Sequence, residues 1–174
     1  MNGRSLALAA VVWLAMCPAG RAQSSEPALP TNPEGVWMMA AHGSQALCSA
    51  MAQVDETLVF SVAGAEGGAF LGFTRLDGVA FPRGPAVIVE TDAGRFEYEP
   101  SYRGDTTILA THTLSADALG VLRRAKDVKA VIAGQTIADM ALGDTGFSKV
   151  LDEVVACSRG EAGWWGQGAP QPAS

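Results

Sequence analysis

Between residues 36 and 157, apolar and polar positions alternate in short runs broken by glycine, the period-two pattern of half-buried β-strands. The runs predict strands over 36–41, 46–53, 57–63, 69–76, 86–91, 95–99, 106–111, 128–133 and 136–142. Turn-forming residues separate several of them: Asp77-Gly78, Asp92-Ala93-Gly94 and Gly134-Gln135. In two places the period changes to that of a helix. The first, "LSADALGVLRRA", offers Ser115 as N-cap, Asp117 in the first turn and Arg123 and Arg124 in the last, where each charge suits the helix dipole. The second lies within "ADMALGDTGFSKVLDEVVACSRG", where Phe147, Val150, Leu151, Val154 and Val155 recur at i, i+3, i+4, i+7 and i+8 behind a cap at Asp144 or Thr145. At about 100° per residue, Cys157 falls on the edge of that apolar face. The pattern predicts a mainly β fold with a minor helical part: one antiparallel β-sandwich or barrel-like domain over 36–158, with two short helices.

The two ends of the chain read differently. Residues 1–22 carry Arg4, an apolar run from Leu6 to Met16, a breaker at Pro18 and small residues at Gly20 and Ala22, which predicts a secretory signal peptide cut after Ala22. The run is shorter than the roughly 20 residues a membrane-spanning helix requires, and no later segment is apolar enough, so no transmembrane anchor is expected. A lipoprotein box needs a small residue before its cysteine; Met16 stands there, and Cys17 is expected to leave with the signal peptide. Proline-rich residues 23–35 predict a flexible leader, and glycine-rich residues 159–174 a disordered tail.

Export changes how the remaining cysteines are read. Two cysteines in an oxidising compartment favour a disulfide, since no thiol is left over. A nucleophile would need a histidine partner, and only His42 and His112 exist; a metal site would need three or four ligands, and no Cys-x-x-Cys or His-x-x-x-His spacing occurs. Cys157 on the core edge of its helix therefore predicts a bridge to a strand cysteine, Cys48, clasping the C-terminal helix.

Charge narrows the partners. The full chain carries 12 basic and 18 acidic residues, net −6. Loss of residues 1–22 removes Arg4 and Arg21 and no acid, leaving a formal charge of −8. An acidic balance without a basic run argues against nucleic acid and against electrostatic docking on anionic lipid.

Few residues offer chemistry. Ser44 and His42 in "HGSQALC" form a conceivable hydrolase dyad, but without a nucleophile elbow a polar turn is the simpler reading. His112 reads as a strand-end residue. Met38, Met39 and His42 are soft ligands for Cu(I), an idea weakened because alternation sends neighbouring methionines to opposite faces. In "VIVETDAGRFEYEP" a two-residue loop pairing Asp92 with Arg95 sets Glu90 against Glu97, a candidate Ca²⁺ pair, though a solvated acidic face is expected. Trp164 and Trp165 in the tail are candidate contacts for a protein or envelope partner. No cofactor signature is present, and no residue stands out as catalytic.

An aromatic-led opening strand "GVWMM", a cysteine-bearing second strand "QALCSAMAQ" and the closing unit "MALGDTGFSKVLDEVVAC" together resemble the invasion-associated locus B family. The resemblance implies a small exported protein of a bacterial envelope with a β-sandwich-like domain and no established enzymatic activity. Family members often carry further cysteines near the opening strand, and here none stands between Trp37 and Cys48. The expected function is a non-enzymatic binding or accessory role in the periplasm or outside the cell, associated with host interaction as far as the resemblance extends. The alternative is a secreted inhibitor or immunity-type protein that plugs a partner enzyme with a loop such as "RLDGVAFPRGP"; a Ser44/His42 hydrolase ranks last.

Overall fold

The computed structural model describes residues 32, 34–42, 47–65 and 67–161. The predicted signal peptide, Ser44, Trp164 and Trp165 lie outside them. The elements run β1 (Met38–His42), β2 (Leu47–Asp55), β3 (Leu58–Ala65), β4 (Gly68–Arg75), β5 (Val87–Thr91), β6 (Gly94–Tyr98), β7 (Pro100–Arg103), β8 (Thr107–Ala110), α1 (Ala116–Arg124), β9 (Asp127–Ile132), β10 (Gln135–Ala141) and α2 (Phe147–Ser158). The strands make two antiparallel sheets, one of six in the order β1-β2-β3-β4-β8-β7 and one of four in the order β10-β9-β5-β6. The fold is mainly β, as the alternation predicts.

Each predicted strand is found, most within a residue or two at each end. β3 shows why: Leu58, Phe60, Val62 and Gly64 are buried while the residues between them are half-exposed, the alternation of a sheet with one face on the core. One strand was not anticipated. β7 is four residues long and begins with Pro100 at the sheet edge, where a missing N–H costs no ladder bond.

Both sheets contribute to one core. The six-stranded sheet supplies Met39, Ala50, Phe60, Val62, Leu71, Phe73 and Ile108, and the four-stranded sheet Val87, Val89, Val128, Ala130 and Ile132. The rings of Phe60 and Phe73, cross-strand partners in β3 and β4, stack with centroids 5.1 Å apart. Among the described residues two buried polar atoms, the Trp37 indole Nε1 and the Tyr98 hydroxyl, have no hydrogen-bond partner; burial pushes the Tyr98 hydroxyl well above its ordinary pKa.

The helix caps divide. Ser115 caps α1 as expected, its Oγ accepting from the Ala118 amide at 3.2 Å. The cap of α2 is neither Asp144 nor Thr145 but Gly146, in the left-handed region at φ 71°. The Thr145 hydroxyl instead donates to the Leu142 carbonyl at 2.8 Å, so it closes the preceding turn and is not free to cap.

The folded unit also reaches back past the predicted start at residue 36. Asn32, assigned by composition to the leader, is 4 % exposed and spends its whole amide on the fold. Its Nδ2 donates to the Thr145 carbonyl and to Glu34 Oε2, both at 2.7 Å, and its Oδ1 accepts from the amides of Val36 and Trp37. One buried asparagine thus ties the entry to β1 to the entry to α2.

Candidate functional site

The clasp is formed. Cys48 and Cys157 are disulfide-bonded, with Cα atoms 6.0 Å apart, inside the range a bridge can span. The cause lies in how α2 crosses the six-stranded sheet. Phe147, Val150, Leu151, Val154 and Val155 are buried, the face that the i, i+3, i+4 spacing predicts. Phe147 seats one end between Trp37 and Phe60, with ring centroids 5.0 and 5.8 Å away. At the other end, α2 approaches β3 at Gly64, the cross-strand partner of Cys48. A Cβ on Gly64 would collide with the Val154 carbonyl and stand 2.9 Å from Ser158 Cβ. Only glycine allows that approach, which brings Cys157 within reach of Cys48. Ser158 Oγ then accepts from the Gly67 amide at 3.1 Å and fastens the helix end to the β3–β4 turn.

The fold also builds a feature that the order of residues conceals. Arg123, Arg124 and Lys126, at and just beyond the end of α1, face Lys149 and Asp152 in the first half of α2 across an open groove of about 500 Å³ floored by Leu142 and Phe147. Arg123 Nε lies 2.6 Å from Asp152 Oδ1 and joins the two helices. The sequence shows no basic patch because Lys126 and Lys149 are separated by β9 and β10. "RRAK" was the available signal, and it reads equally well as helix-end charge.

The acidic hairpin differs from its expected register. Thr91 pairs with Gly94, so Glu90 faces Arg95, and Glu97 faces Ile88. The two-residue turn is Asp92-Ala93, one position earlier than assumed. Asp92 cannot pair with Arg95 because it is held elsewhere: its amide donates to Asp127 Oδ1 and its Oδ1 accepts from the Lys126 amide. On its other side Glu90 faces Lys129, which in turn faces Asp139. Arg95, Glu90, Lys129 and Asp139 thus form one row of alternating charge across four strands, the favourable cross-strand arrangement. With a cation on either side of Glu90, the pair Glu90 and Glu97 is not gathered as a Ca²⁺ site.

The remaining candidates are dispersed. Met38 is exposed and Met39 is in the core, on opposite faces of β1 as alternation requires. His42 ends β1, and its side chain lies outside the described residues, as does Ser44. His112 is exposed in the bend before α1. Among the described residues no group of three or more His, Cys, Asp or Glu is assembled to hold a metal ion, and no helix is long and apolar enough to cross a membrane.

The loop "RLDGVAFPRGP" joins the two sheets and is tied at both ends. The Arg75 guanidinium donates to both oxygens of Asp77, at 3.0 and 2.5 Å, and with the Val79 amide holds that carboxyl down to a pKa of about 2. Phe81 is buried, and Arg83 lies over the Tyr102 ring at 4.2 Å while pairing with Asp105. Between these anchors Leu76 and Val79 are 59 % and 52 % exposed.

No family model and no curated protein matches the sequence. A solved structure does match: the crystal structure of invasion associated protein B from Bartonella henselae, with a TM-score of 0.53 at 19 % identity, covering 75 % of this chain and 99 % of that one. At that identity the likeness is one of fold, and it spans nearly the whole of the Bartonella domain.

Proposed function

We propose that this chain is an exported, non-enzymatic protein of a bacterial envelope with a binding or accessory role, of the invasion-associated kind. The observation that carries the proposal is the fold shared with invasion associated protein B along almost that protein's full length. The Cys48–Cys157 disulfide supports it, since such bridges persist in oxidising compartments and are rare in the cytosol. Fractionation tests the first half of the reading. The full chain, expressed in a Gram-negative host, is expected in the osmotic-shock fraction, shortened at Ala22 and with no titratable thiol. An uncleaved cytoplasmic product with free thiols overturns it. The second half predicts that purified oxidised protein adheres to cultured host cells above the level of an unrelated acidic periplasmic protein; equal adhesion counts against it.

A second reading is the inhibitor or immunity-type protein, favoured by the loop 75–85. Two exposed apolar side chains on a loop held by ion pairs and a buried phenylalanine resemble a preorganised contact that loses little entropy on binding. It predicts stoichiometric co-purification with an enzyme that a Leu76→Asp/Val79→Asp variant abolishes. A partner retained by that variant removes the reading.

A further inference from the structure

We infer that the groove between the end of α1 and the start of α2 is a binding site for a small ligand carrying more than one phosphate group. The inference goes beyond the envelope reading and stands on the geometry of the groove alone, wherever the protein resides.

The first argument is charge. Four of the twelve basic residues in a chain of net charge −6 line this one concavity. Asp152 is the single carboxylate lining it, and Arg123 already engages it. Arg124, Lys126 and Lys149 have no carboxylate partner among the described residues. The excess is three positive charges, contributed by separate elements that the fold brings together. Gathering like charges costs free energy, and a bound anion removes that cost. Glu34 and Glu153 line an adjoining recess that shares Gly146 and Lys149 with the groove, so Lys149 stands at the boundary between the two.

The second argument is shape. A groove of about 500 Å³ lies within the range of roughly 300–1,000 Å³ typical of small-molecule sites, and a concave wall of one sign focuses its field on whatever enters. Leu142 and Phe147 lie beneath the groove but are themselves buried in the core, so the surface open to a ligand is mainly that of the charged side chains and the backbone around them. The cations are also partly preorganised. Arg123 is fixed by Asp152, and Arg124 lies back along α1, with Nη1 3.5 Å from where a Cβ on Gly120 would stand. Gly120 leaves room for that course.

The third argument selects the anion. Two guanidinium groups beside two ammonium groups suit phosphate, which accepts forked hydrogen bonds from arginine and point charge from lysine. A monoanion would leave most of the excess uncompensated, whereas two or three linked phosphates match it. The first turn of α2 adds amides to the same wall, for which no acceptor is found among the described residues at Phe147, Ser148 or Lys149; the charge and the concavity carry the inference without them.

The test uses the oxidised full chain and sodium tripolyphosphate as probe. Titration followed by NMR is expected to shift the amides of residues 123–126 and 146–149 at or below about millimolar probe, with affinity falling as sodium chloride is raised. The exposed pair Arg124→Glu/Lys149→Glu should weaken binding about tenfold or more, as loss of charge-assisted hydrogen bonds predicts, while Arg103→Glu on β7 should not. A second arm uses phosphatidylcholine vesicles with and without phosphatidic acid. Binding to the acidic vesicles but not to tripolyphosphate reassigns the phosphate to a lipid headgroup and overturns the soluble ligand. Absence of shifts at these amides in the unmodified chain, or equal weakening by Arg103→Glu, overturns the site itself.

Discussion

Replacing both cysteines, as Cys48→Ala/Cys157→Ala, is expected to produce the largest loss of stability available from a change outside the aromatic core. The bridge spans 109 residues of chain, and for a loop of that size the chain-entropy model gives about 4–5 kcal/mol, with measured removals of native bridges in small secreted domains running at about 2–5 kcal/mol. Set against a net stability of order 5–15 kcal/mol, that is a large fraction of what holds the domain together. The structure explains why little of it is returned as strain relief in the native state. Gly64 lets α2 lie close to β3, and Ser158 holds the helix end independently of the sulfurs. With the Phe147 ring filling its site, the native geometry therefore persists without the bridge, and in that background the loss falls on the unfolded side of the equilibrium. Urea unfolding of the oxidised chain, the chain under reductant and the double variant measures it. A midpoint shift worth less than about 1 kcal/mol would show that the closed loop does not constrain the unfolded chain as the model assumes.

The clasp was legible in the sequence because three independent signals agreed: the helical period of Phe147 to Val155, the phase of Cys157, and a cysteine in a strand. Strand order of burial was legible for the same reason, since alternation is a local property. What the sequence concealed falls into two kinds. The Glu90–Glu97 register was missed by one position at the turn, because Asp92 is claimed by Asp127 and by the Lys126 amide, contacts that exist only once α1 has folded back beside the hairpin. A slip of that size is what tertiary competition for one turn residue produces. Asn32 was concealed by its neighbours: prolines and serines around it read as a leader, while its side chain satisfies four backbone and side-chain partners that no local pattern announces. The cationic groove belongs with Asn32. Its residues are unremarked one by one, and only the meeting of two helix ends makes them a group. The candidate residues for chemistry fared according to the same rule. Alternation separated Met38 from Met39 correctly in advance, whereas no feature of the sequence could place Lys149 opposite Lys126.

Phe147→Ala is the second large effect expected, and its size depends on the clasp. The ring is 2 % exposed, packed between Trp37 and Phe60 at the start of α2. Truncating a buried phenylalanine costs about 3–5 kcal/mol, more where the surroundings cannot close on the cavity. Here both walls are restrained. Trp37 is held through its amide to Asn32 Oδ1, and α2 is pinned at its far end by Cys157 and Ser158, so the helix cannot slide to fill the space. The upper part of that range is therefore expected in the oxidised protein. Phe147 and Cys157 are ten residues apart, about 15 Å along the helix axis, a distance at which two substitutions ordinarily add to within about 0.5 kcal/mol. The rigid helix predicts otherwise. Once Cys48→Ala/Cys157→Ala has freed its far end, α2 tilts into the cavity and Phe147→Ala costs at least about 1 kcal/mol less than in the clasped chain, within the span seen for coupled sites. A double-mutant cycle by urea unfolding reads this directly. Strict additivity would mean that Ser158 and the apolar face alone hold α2 in place, and the disulfide would then act only on the unfolded chain and not on the rigidity of the helix it closes.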